Sequence, residues 1–170
     1  TLLFTNIFQL THVLADDLIK LRNEHAKILR QTEANWIEWR FMEKDPVNPE
    51  KFIFYTSHLI TYRCGIDEAF WGVSKDKIEI DMEIGKPLKN SGSVREQKIA
   101  KMNYETNVNG CDPIDPYSTR SLKTYEILDD KSIKSIWVKI KLADKKKYIV
   151  SEFQVSKKVL RDLELSKNIE

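Results

Sequence analysis

Apolar and polar residues alternate most sharply at Ile78, Ile80, Met82 and Ile84, with Glu79, Asp81 and Glu83 between them. Successive side chains of a strand point to opposite faces, so this period of two predicts a strand with one buried face and one acidic, wet face. The pattern returns at Ile136, Val138, Ile140 and Leu142, interleaved with Trp137, Lys139 and Lys141. A polar turn from Ala143 to Lys147 follows, then a second apolar-rich run from Tyr148 to Val155. Together they predict an antiparallel hairpin. Shorter runs at Phe52–Tyr55, Leu59–Cys64, Ala69–Val73 and Leu122–Leu128 predict further strands, with Gly72 placed at a bulge.

The period changes towards both ends. From Ile7 to Asn35 there is no Gly or Pro, and Leu14, Leu18, Leu21, His25 and Ile28 recur at alternating steps of four and three. That spacing lines one face of a helix. The aromatic cluster Trp36, Ile37, Trp39, Phe41 and Met42 is too short for its period to decide between a last helical turn and a strand. Pro46 and Pro49 then stop any helix. Ser93 followed by Glu96 fits a capping box and predicts a short helix from Val94 to Tyr104. Val159, Leu160 and Leu163 carry helical spacing in the tail.

These elements predict an α+β fold: a long N-terminal helix packed on or leading to an antiparallel β-sheet or small β-sandwich. Residues 1–45 form the helical segment, serving as tether, packing element or oligomerisation element. Residues 46–170 form the β-rich domain, with a short helix near 94–104.

Composition narrows the function classes. Charged residues make up 32% of the 170, yet the formal charge is only +2, without the strong basic excess of a dedicated polyanion binder. The 10% aromatic content argues against a disordered chain. No Walker, Rossmann, zincin or nucleophile-elbow motif is present, so no cofactor or metal is expected. Cys64 and Cys111 lack CxxC spacing; they either pair in an oxidising compartment or stand as buried thiols. The first charge is Asp16, so the opening residues fit an amphipathic helix start, the end of a signal peptide or the end of an anchor. Location is accordingly open between cytoplasmic and membrane-proximal or exported.

Several groups are candidates for chemistry. His12, His25 and His58 are scattered. Glu79, Asp81 and Glu83 share a strand face, and Asp112 and Asp115 lie in a CDPIDP turn; both fit ordinary surface and turn roles better than metal sites. The strongest binding candidate is the hairpin of residues 134–147. Trp137, Lys139 and Lys141 project on one face, and Lys145, Lys146 and Lys147 sit at the tip. An aromatic among lysines suits single-stranded nucleic acid or an anionic membrane surface. Leu14, Leu18, Leu21 and Ile28 form the second candidate, a helical interface. The function expected first is a non-catalytic interaction domain, membrane-proximal or within a larger assembly, whose partner is a protein, including a second copy through the helix. The alternatives are a nucleic-acid-binding or processing protein using the hairpin, and a hydrolase or toxin-like enzyme assembled from distant acids and His58.

Overall fold

The computed structural model describes residues 2–42, 51–128, 130 and 132–167. Helix α1 runs Leu2–Gln31, 30 residues, or roughly 45 Å at the usual rise. Its last turns are rooted in the body, with His25, Ala26 and Leu29 fully buried. Of the heptad seam's described side chains only His25 packs deeply; Leu18, Leu21 and Ile28 are half-buried, so the buried face is rotated towards Ala26 and Leu29. Gly65 explains the rotation. A Cβ there would stand 2.3 Å from the Ala26 amide nitrogen, so only glycine lets the chain press against the helix backbone at that point. Arg22 to Asp67 (2.6 Å) and Arg30 to Asp144 (2.5 Å) pin the same helix from two sides.

A 3-10 turn at Glu33–Asn35 leads into β1, Glu38–Met42. The aromatic cluster is therefore mainly a strand, and the Trp36 indole N–H donates to the Leu29 carbonyl at 2.9 Å. β1 pairs antiparallel with β2, Lys51–Tyr55, which pairs with β5, Tyr125–Leu128. The second sheet has the order β4-β3-β6-β7, from β3 Ile66–Gly72, β4 Ile80–Asp81, β6 Ser135–Leu142 and β7 Tyr148–Gln154. Phe54 of the first sheet meets Trp71 of the second with ring centroids 5.0 Å apart. Ile136, Val138, Ile140 and Leu142 all point into the core, each at most 1% exposed. The fold is α+β, with an N-terminal helix and two antiparallel sheets. Residues before 45 enter it directly, through Ala26, Leu29, Trp36 and β1.

Two expected strands take other forms. Leu59–Cys64 is α2, Ser57–Thr61, followed by a 3-10 turn at Arg63–Gly65. Neighbours Leu59 and Ile60 are both fully buried, which a helix inside the body allows and a half-buried strand does not. A continuous apolar run does not distinguish the two by period. The Ile78–Ile84 alternation marks burial without a full ladder. Ile78, Met82 and Ile84 are buried, Ile80 is 50% exposed, and only Ile80 and Asp81 pair with β3. The ribbon ends where Glu83 adopts φ 49° and donates its N–H to the Asp81 carboxylate at 2.8 Å. The bulge in β3 lies between Ile66 and Glu68, not at Gly72. Gly72 instead allows the Lys77 carbonyl to approach, within 2.0 Å of where a Cβ would be.

Helix α3, Val94–Thr106, carries the expected capping box: the Ser93 N–H donates to Glu96 at 2.7 Å and the Glu96 N–H to the Ser93 hydroxyl at 3.2 Å. Helix α4, Lys157–Lys167, packs on β1 and buries Val159. Among the described residues no helix is long and apolar enough to cross a membrane.

Candidate functional site

Cys64 and Cys111, 47 residues apart, form a disulfide that ties the α2 region to the turn after α3. Beside it Arg63 is 2% exposed. Its guanidinium donates to the carbonyls of Ile60 (3.0 Å), Gly110 (3.0 Å), Pro116 (3.1 Å) and Ser118 (2.9 Å). Burial pushes its pKa down, and the charges of Asp112 and Asp115 oppose that shift. The CDPIDP aspartates are thus structural. The Asp112 carboxylate accepts from the Ile114 and Asp115 backbones and from the Asn103 amide. No group of three metal-ligating side chains occurs among the described residues. Above this hub, between α3 and the 111–122 loop, lies a groove of about 510 Å³ lined by Ile99, Met102, Ile114 and Leu122, with Arg95 and Arg120 also at its wall.

The hairpin face is assembled differently from its reading as a free basic platform. Trp137, Lys139 and Lys141 do share a half-buried face. Lys139 lies over the Phe70 and Tyr148 rings, 5.0 and 5.2 Å from their centroids. Lys141 is ion-paired with Glu68 at 2.8 Å, and Glu68 also accepts from the Tyr148 hydroxyl. The hydrogen bond from Lys141 holds the Glu68 carboxyl below its usual range. Trp137 faces the Lys75 ammonium at 5.4 Å. Lys145, Lys146 and Lys147 remain exposed at the tip. The intervening sequence hid this because Glu68, which pairs with Lys141, and Phe70, whose ring lies under Lys139, stand some 70 residues away on β3.

The histidines divide. His12 and Leu14 lie where side chains are not described. His25 is enclosed against Tyr62 and Tyr117, and burial pushes its pKa down. His58 Nε2 is 2.7 Å from the Thr32 hydroxyl, which itself donates to the Ile28 carbonyl. This contact holds the His58 ring beside the end of α1, and burial pushes its pKa down. Glu83 is engaged with Lys86 and Lys123. The structure brings neither Glu79 nor Asp81 to His58, and none of these residues lines the cavities described here.

One surface went unread in the sequence. The start of β1 and the end of β7 flank a groove of about 690 Å³. Ile37, Trp39 and Phe153 supply apolar wall, and Glu33, Glu38 and Glu152 supply the charge. Glu33 accepts from the Ser151 hydroxyl, Glu38 pairs with Arg40 at 2.8 Å, and Glu152 has no partner among the described residues. The alternation of β7 is visible along the chain; its place at a sheet edge is not, because strand order is a tertiary fact. No family profile, curated protein or solved structure matches the chain.

Proposed function

We propose that this chain is a non-catalytic interaction domain that meets a protein partner, including a second copy of itself, through its N-terminal helix. The observation that carries the reading is the change in burial along the described part of α1. Its last turns are locked by His25, Ala26 and Leu29, whereas Ala15, Asp16, Asp17, Ile19 and Lys20 are exposed, Ile19 at 58%. An apolar side chain on an exposed helical turn favours coverage by another helix. Leu18 and Leu21, half-buried, lie about 100° and 160° around the helix from Ile19, on its other sides. The engagement of Lys139 and Lys141 by Phe70, Tyr148 and Glu68 weighs against the nucleic-acid alternative.

Sedimentation of the intact chain and of a form lacking residues 1–17 tests the reading. The expected outcome is a concentration-dependent dimer or higher species for the intact chain and a monomer for the shortened form. A monomer in both cases, with no protein captured through the helix, would overturn it.

A further inference from the structure

The geometry points to the open edge of β7 as a docking strand for an extended segment of a partner protein, one in which apolar and basic side chains alternate. This rests on the reading of the chain as a binding domain but uses a surface remote from the exposed part of α1. The order β4-β3-β6-β7 leaves β7 paired on one side only. The Val155 N–H donates to the Lys134 carbonyl at 2.8 Å. Backbone groups alternate in direction along an antiparallel strand, so Phe153, Ser151 and Ile149 turn theirs towards β6. Tyr148, Val150, Glu152 and Gln154 then turn theirs outward. No backbone bond among the described residues takes up these outward groups. Edge strands are ordinarily protected by charged side chains, proline or bulges, and of these the seven residues YIVSEFQ carry only the charge of Glu152.

The groove beside this edge sets the side-chain preference. A strand added to β7 would turn alternate side chains inward, against Ile37, Trp39 and Phe153. Trp39 is 8% exposed, and its indole N–H is buried without an acceptor among the described residues. The other side chains would lie beside exposed Glu152. Three of the ten residues lining the groove are carboxylates and none is cationic, so the complementary charge is positive. A second copy in the same place would bring the same carboxylates together, which disfavours it as the occupant.

The test uses the full chain and three capped heptapeptides: alternating valine and lysine, alternating valine and glutamate, and the lysine peptide N-methylated at every second amide. Binding is read from amide resonances and hydrogen exchange. The lysine peptide is expected to shift and protect the amides of Tyr148, Val150, Glu152 and Gln154, while the other two peptides do not. Glu152→Lys should weaken the lysine peptide by about fivefold, the scale of reversing one exposed charge pair. Equal binding of the glutamate peptide, unchanged affinity in Glu152→Lys, shifts confined to other surfaces, or prior protection of the four amides by self-association would each overturn the proposal. Removing residues 1–17 separates the two readings: peptide binding that survives while self-association is lost concerns β7 alone, and the converse leaves the helix reading standing.

Discussion

The double substitution Cys64→Ala with Cys111→Ala gives a sharp test of how the α2–α3 region is held. Both sulfurs are buried, with residue exposures of 2% and 4%, and the bond closes a loop of 47 residues. Cross-linking removes loop-closure entropy from the unfolded chain in proportion to the logarithm of loop length, and a loop of that size corresponds to about 4 kcal/mol at room temperature. A domain of this kind has a total stability of about 5–15 kcal/mol, so the loss is a large fraction of it. Arg63 should keep its carbonyl partners on one side of the break, Ile60 being local, while Gly110, Pro116 and Ser118 lose their covalent anchor nearby. Urea unfolding monitored by tryptophan fluorescence is the assay. The expected result is a fall of about 3–4 kcal/mol with a larger denaturant slope, because the uncrosslinked unfolded state exposes more surface. Reduced wild-type protein should match the variant. A variant within about 1 kcal/mol of wild type, at unchanged slope, would refute the reasoning.

Four further outcomes follow from the same structure. Stability should be full above pH 6.5 and decline on acidification, because burial lowers the pKa of both His25 and His58 from that ordinary value and the unfolded chain binds more protons in between; the urea midpoint against pH measures this, and His25→Leu should flatten the slope. Gly65→Ala should cost about 1–3 kcal/mol in the same assay, since its Cβ would meet helix backbone and not a flexible side-chain end. Arg63→Met should cost at least about 3 kcal/mol by stranding carbonyls that now accept from a cation. Ser93→Ala should cost about 1 kcal/mol and lower the helix content measured by circular dichroism, because the hydroxyl that accepts from the Glu96 N–H is lost while the backbone N–H of residue 93 keeps its Glu96 acceptor.

Local chemistry was the legible part of this chain. The capping box at Ser93 and Glu96, the core side of Ile136 to Leu142 and the helical state of the first segment all depend on neighbours within one turn or one hairpin, whereas the rooting of that helix on Gly65, Asp67 and Asp144 does not. Leu59–Cys64 was misread because burial on all sides erases the period by which helix and strand are told apart. At Ile78–Ile84 three of the four apolar residues are buried as the alternation implies, but Ile80 is exposed and the strand is only two residues long, since Gly72, Lys77 and the positive φ of Glu83 shape the chain there. The candidate site was less legible. Whether Lys139 and Lys141 are free depends on Phe70 and Glu68 across the sheet, and the open edge of β7 follows from strand order.

The interleaving of the two sheets has a consequence for synthesis. The first joins residues 38–55 to 125–128, and the second joins 66–81 to 135–154. Neither sheet is complete until residues 125–128 and 135–154 have left the ribosome, so the nascent polypeptide carries Phe52, Phe54 and Trp71 without their full cover until then. Such long-range closure makes folding slow, and the emerging chain a natural client for chaperones.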